Sequence, residues 1–368
     1  MLRRLLSHDL PRSRVLTVVL IGIVLGLALT PFIFPGTRAL NVAAKVIVFI
    51  VLAASFDLLL GYTGIVSFAH TMFFGIGAYG IAIAATRLGP TWPALAIGTA
   101  AALATSLVLS LVIGLFSLRV RAIFFAMITL AVASAFLTFA SQLSDVTGGE
   151  DGLTFQLPEA LRPGTQYAAE PFLGASIDGR LLTYYLVFIA ALVLVLALLR
   201  IVNSPFGRVL QAIRENDFRA EAIGYRIVVY RTIASVASAL FATLAGVLLA
   251  LWLRYNGPET TLSFEIMLDV LLIVVIGGMG TVYGAVVGSA LLVLAQNYLQ
   301  DVMKLGAGAF ENVPLLSRIV SPERWLFWLG LLFVLSVYWF PNGVVGRLRE
   351  RAAAWRAAVA DRASVKAR

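Results

Sequence analysis

Apolar runs recur along the chain at lengths that let a helix cross about 30 Å of hydrocarbon. They fall near residues 15–34, 42–60, 65–85, 92–116, 122–142, 182–200, 232–253, 265–278, 283–299 and 325–341. The pattern predicts an all-α polytopic membrane protein with about ten transmembrane helices. The eighth run is short for a full span and reads as a half-helix, so roughly eight to ten complete crossings fit the pattern. The first run follows the basic stretch MLRRLLSHDLPRSR and carries no small-x-small cleavage signal, so it is expected to remain as a retained helix.

The polar stretches divide the chain into a cytoplasmic N-terminus (1–14), a membrane domain (15–346) and a basic cytoplasmic tail (347–368). With the N-terminus inside, 19 of the 28 Lys and Arg residues fall on the inner side, and twelve of the 19 acidic residues on the outer side. That is the asymmetry of the positive-inside rule. An outer loop, 144–181, contains DVTGGEDGLTFQLPEALRPGTQ and is long enough to form a small cap. An inner loop, 203–231, reads NSPFGRVLQAIRENDFRAEAIGYRIVVY over its first 28 residues. Phe206, Val209, Leu210 and Ile213 stand there at i, i+3, i+4 and i+7. They predict a short amphipathic helix after Ser204 and Pro205, lying on the membrane or docked into a partner.

Composition agrees, with 60% hydrophobic and 13% charged residues, against about 25% charged in soluble proteins. The net charge of +9 is explained by arginines that orient helices and face anionic lipid; no nucleic-acid motif accompanies it. Cysteine is absent, which excludes disulfides and thiolate metal sites.

Two glycine-rich stretches interrupt the apolar pattern. GYTGIVSFAHTMFFGIGAYG carries Gly61, Gly64, Gly75, Gly77 and Gly80, which serve either as close-packing positions between helices or as part of a broken backbone. GYTG lies where the chain breaks between two apolar runs. Irregular backbone at membrane depth is tolerated only where it is buried in protein or lines a cavity, which favours a translocation pathway. GGMGTVYG, residues 277–284, stands in the same way between two later runs, where half-helix ends offer free amides and carbonyls to a polar solute such as a zwitterion. Asp57, one turn before GYTG, would cost about 3 kcal/mol at a helix centre, so it is expected to be paired or near the inner surface. His70 reads either as a packing histidine or as a pathway group.

Enzymatic readings find no support. HExxH, GxSxG and paired acidic motifs are missing, and two histidines leave little for a metal site. None of Lys45, Lys304 and Lys366 ends a phosphate-binding glycine loop, so the chain is not expected to be an ATPase. Asp57, His70, Glu265 and Asp269 keep an ion-coupled carrier open.

LLLGYTGIVSFAHTMFFGIGAYG resembles the signature of the branched-chain amino acid ABC importer permeases, and SPFGRVLQAIRENDFRAEAIGY resembles the cytoplasmic loop of that family. LDVLLIVVIGGMGTVYGAVVGSALL and YWFPNGVVG extend the resemblance over most of residues 41–347. Chain length, the long outer loop and the PNGVVG ending are more similar to the LivM type than to its shorter LivH-type sister.

The resemblance implies a vitamin B12-importer-like permease fold with discontinuous helices, in a bacterial inner membrane with both termini cytoplasmic. It implies a transport subunit without catalytic residues, metal or cofactor of its own, ATP and Mg being held by partners. Those partners are a LivH-type second permease subunit, two ATP-binding subunits and a periplasmic binding protein, with membrane lipid and no nucleic acid. Gly61, Tyr62, Gly64, Ser67, His70, Gly277, Gly278 and Gly280 would border the translocation path, with Asp57 beside them. Phe206 to Gly224 would form the coupling helix against the ATPase, with Phe206, Arg208, Arg214, Glu215, Glu221 and Gly224 at the contact. The alternatives are a permease for urea or short-chain amides and an ion-coupled secondary carrier working alone.

Overall fold

A computed structural model describes residues 13–117, 122–168, 176–309, 321–340 and 342–348. Arg119, Arg121, most of the N-terminal basic segment and most of the basic tail lie outside them. Ten segments are long and apolar enough to cross a membrane. In chain order, α1 is Arg14–Ile33, α2 Thr37–Thr63, α3 His70–Leu88, α4 Trp92–Ser117 and α5 Ala122–Gln142; α6 is Gly179–Val202, and α9 is Ile227–Leu253. Between these two lie the short α7, Pro205–Glu215, and α8, Asp217–Ala222. The last three are α10, Phe264–Gly277; α11, Val282–Ala309; and α12, Trp325–Trp339.

The bundle is organised around α2, which is buried almost continuously from Leu40 to Thr63. A helix apolar on every face is stable only when neighbours or lipid cover all of it. Here α6, α9, α10 and α11 do so, and α3 touches it through His70 and Phe74. In contrast α1, α5 and α12 expose large side chains such as Val18, Ile123 and Phe327, as lipid-facing helices must.

Small residues set the closest approach. A Cβ on Gly246 would strike the Phe74 backbone and one on Gly77 the Thr243 backbone, so α3 and α9 pack main chain to main chain. Thr243 Oγ1 and Ser106 Oγ then share a hydrogen bond at 2.6 Å, tying α9 to α4. Gly75 and Gly80 likewise lie against Leu262 and Gly98, so these two glycines and Gly77 are close-packing positions.

The first break is shaped differently from the expected run over 65–85. α2 continues through Gly61, Tyr62 and Thr63, and Gly64 ends it at φ +72°. Residues 65–69 are not helical, and α3 starts at His70. His70 meets Ser55, nine residues before Gly64, which is about 13 Å back along α2 at 1.5 Å per residue. The chain therefore turns at Gly64 and climbs beside the last turns of α2 before coiling again. One of its free amides is satisfied from α5, Phe68 N–H donating to Thr129 Oγ1 at 3.1 Å. The region 61–80 is thus bent and mostly buried.

The short eighth run is α10, 14 residues long or about 21 Å, preceded by a separate helical turn, Pro258–Thr261. α10 and α11 form a hairpin in which a Cβ on Gly277 would strike the Gly284 backbone.

At the end of the bundle opposite α7, the connection before α6 folds back over the helices. Strand β1, Leu153–Thr154, pairs antiparallel with β2, Tyr255–Asn256. Phe155, Leu157 and Leu161 bury themselves among Ala78, Ile81 and Leu251.

Candidate functional site

Three segments distant in sequence converge at the end of α2. Asp57 and Gly61 are one turn apart and so share a face. The Gly280 amide donates to Asp57 Oδ1 at 2.8 Å, with the Thr281 amide and the Arg214 guanidinium close to the same carboxylate. Arg214 Nη1 in turn donates to the Gly61 carbonyl. The approach requires glycine twice. A Cβ on Gly61 would fall on Asp57 and on the Gly280 nitrogen, and Gly280 itself sits at φ +79°, a left-handed conformation that costs other residues energy. Asp57 is 1% exposed, so the backbone amide and the guanidinium are what make its carboxylate tolerable there.

His70 is sealed in a second network. Ser55 Oγ donates to the Leu52 carbonyl at 2.7 Å and lies 2.8 Å from His70 Nε2. A hydroxyl has one hydrogen, so His70 donates to Ser55 from Nε2. Phe56 packs edge-on to the imidazole with ring centroids 5.3 Å apart, and Ser238 Oγ donates to the Ser55 carbonyl at 2.6 Å. Both surroundings and bonds are those of a packing histidine joining α2, α3 and α9. Replacing it with glutamine, which can still donate to Ser55, is therefore expected to keep uptake within about twofold, while alanine costs about 1–3 kcal/mol and lowers the apparent Tm of the solubilised protein. Uptake lost in the glutamine variant would show a proton or solute role instead.

Tyr62 and Ser67 are buried beside the break. Gly277 and Gly278 lie at the turn between α10 and α11, Gly278 at φ +117° and facing Asn342 and Gly343. The structure thus brings Asp57, Gly61, Gly64, Gly280 and Arg214 together; His70 lies deeper, in its own network.

α7 forms as its sequence dictates. Ser204 Oγ accepts from the Gly207 amide at 3.4 Å as N-cap, and Pro205 occupies the first turn. Leu210 and Ile213 are fully buried against the bundle, and Phe206 stacks on Tyr230 with centroids 5.9 Å apart. Asn216 breaks the helix and caps α8 through Oδ1 to the Arg219 amide at 2.9 Å, while Arg231 pairs with Asp217 at 2.9 Å. Arg208, Glu215, Glu221 and Gly224 face outward. So do two residues that sequence reasoning passed over, Phe218, 86% exposed, and Ile223, 67% exposed. Their signal was an apolar residue out of phase with the Phe206–Ile213 stripe. Among the described residues no group of acids and histidines could hold a metal ion.

Residues 38–337 match the family described as "branched-chain amino acid transport system / permease component". The chain is 25% identical over 325 residues to the high-affinity branched-chain amino acid transport system permease protein LivM of Salmonella typhimurium, covering 84% of this chain and 71% of that one. It is 26% identical over 323 residues to the protein of that name from Escherichia coli, covering 84% and 70%. A probable branched-chain amino acid transport permease LivM of Methanocaldococcus jannaschii is 27% identical over 218 residues, 59% of this chain and 58% of that protein. No solved structure matches the chain.

Proposed function

Because the chain belongs to the branched-chain amino acid transport system permease family, we propose that it is a membrane-spanning subunit of an ATP-driven importer, passing branched-chain or other hydrophobic amino acids handed over by a periplasmic binding protein. It sits in the inner membrane with α7, α8 and both termini on the cytoplasmic side and the 144–178 connection outside. A LivH-type permease subunit completes the path, two ATP-binding subunits carry ATP and Mg, and the ten helices take the vitamin B12-importer-like arrangement.

The observation that supports this reading is the way α7 and α8 are mounted. α7 is bolted to the bundle by Leu210, Ile213 and the Arg214–Gly61 bond, while Phe218 of α8 and Ile223, which follows that helix, face the outside. Rigid attachment on one side and a bare apolar knob on the other suit an element that transmits the movement of a docked partner. Closure of the ATP-binding subunits would shift α7 and α8, and the Arg214–Gly61 and Gly280–Asp57 contacts would carry that shift to the ends of α2, α10 and α11. The two permease subunits would then alternate access around the path between them.

Mild solubilisation is expected to recover the chain with two nucleotide-binding polypeptides. Phe218→Glu should cut that recovery about tenfold or more without reducing the inserted chain. Undiminished recovery would remove the coupling role of α8, and leucine uptake by the purified chain alone under a proton gradient would establish an ion-coupled carrier in its place.

A further inference from the structure

We propose that a cavity between the start of α2, the end of α9 and the start of α10 holds the transported solute as a zwitterion, with Lys45 receiving its carboxylate and Asp269 its ammonium group. This rests on the reading of the chain as an amino-acid permease and adds where in the chain the solute is held.

The cavity has a volume of about 620 Å³, within the range of about 300–1,000 Å³ typical of small-ligand sites. It lies at the end of the bundle away from α7, where α2 begins and α9 finishes. Lys45 is eight residues into α2, about 12 Å along its axis. Charged groups at such depth are costly and are functional candidates for that reason. Lys45 lies near enough to Asp269 to act on its carboxylate, but the two form no ion pair. Among the described residues Lys45 makes no ion pair, its Nζ lying 5.2 Å from the Phe49 ring centroid. Asp269 accepts one hydrogen bond, from Gln296 Nε2 to Oδ1 at 2.7 Å, which leaves Oδ2 without a partner there. Of the other charges on the lining, Arg38 pairs with Asp301 at 2.7 Å, and Glu259 and Glu265 are exposed, whereas Lys45 and Asp269 are half-buried.

The cavity therefore offers a cation and an anion that face the same space and stay unpaired, the complement of an α-amino acid backbone. Between them stand Phe49, Leu249, Trp252 and Ile266, an apolar wall for an aliphatic side chain. Urea, neutral and without an apolar part, would satisfy neither the charges nor the wall. Weak retention follows from the single point charge at each end, which suits a site that must also release its cargo.

The chain has no cysteine, so Thr260→Cys, on the cavity lining, gives the permease a single thiol. In membrane vesicles holding the assembled transporter, labelling of that thiol by a membrane-impermeant thiosulfonate is expected to slow about threefold once L-leucine reaches twice its Kd, because labelling competes as 1 + [L]/Kd. 4-Methylpentanoate, which lacks the ammonium group, 3-methylbutylamine, which lacks the carboxylate, and urea should give no protection at the same concentration. Lys45→Met and Asp269→Asn should abolish protection by leucine, and Lys45→Arg and Asp269→Glu should restore part of it. Labelling indifferent to leucine, protection by urea, or protection that survives Lys45→Met and Asp269→Asn would overturn the site. Uptake of L-leucine by the same vesicles separates the two levels of inference. Vesicles that take up leucine while labelling ignores it refute the location alone; vesicles that take up none refute the amino-acid reading and this site with it.

Discussion

Gly61→Val is expected to reduce uptake about a hundredfold or more and to lower the amount of folded chain recovered from membranes. Any Cβ at this position falls on the Asp57 carboxylate and the Gly280 amide. The α10–α11 turn would have to withdraw, breaking the 2.8 Å bond from Gly280 to Asp57 and leaving a buried carboxylate short of a donor. Breaking a buried charged contact of this kind costs about 3–5 kcal/mol, and two to three powers of ten in a transport rate correspond to a loss of that size. Gly36→Ala is the control, since a Cβ there meets nothing within 4 Å. Transport assays and size-exclusion profiles of the two variants check this. A fully active Gly61→Val protein would mean that the junction is not closely packed.

Arg214→Glu is expected to separate ATP hydrolysis from uptake in the assembled transporter, lowering uptake about a hundredfold while hydrolysis continues. The substitution removes the donor to the Gly61 carbonyl and sets a second negative charge near Asp57, so the contact that ties α7 to α2 becomes repulsive. Arg214 is exposed and its bond to Gly61 half-buried, so losing this charge-assisted hydrogen bond costs about 1.5–3 kcal/mol, the upper end of which corresponds to that effect. Arg214→Lys keeps the charge but not the planar fork and should retain part of the uptake. Leucine counting of reconstituted vesicles beside phosphate release gives both quantities, and unchanged uptake in Arg214→Glu would sink the linkage.

The ten crossings were legible because lipid demands long apolar segments, and nothing else in the composition competes with that demand. Boundaries shifted where polarity and backbone form parted company. α2 begins at Thr37 rather than near residue 42, since Arg38 and Asn41 line a cavity and so delay the apolar run. α3 begins at His70 rather than near residue 65, since Ile65, Val66 and Phe68 are apolar yet not helical, and hydropathy is blind to that difference. Asp57 was identifiable from its cost at membrane depth. Its partners were not, because one is a backbone amide 223 residues away and the other an arginine that the family resemblance placed at the contact with a partner. Lys45 went unnoticed as a site because its chemistry was weighed only against a phosphate loop.

The position of α2 has a consequence for biogenesis. This helix leaves the ribosome before α6, α9, α10 and α11, which cover it. Asp57 meets Arg214 and Gly280 only after more than 150 and 220 further residues have been made. During that interval the nascent segment must be shielded by the insertion machinery or by water at the membrane surface, so the centre of the finished bundle is among its last parts to be completed.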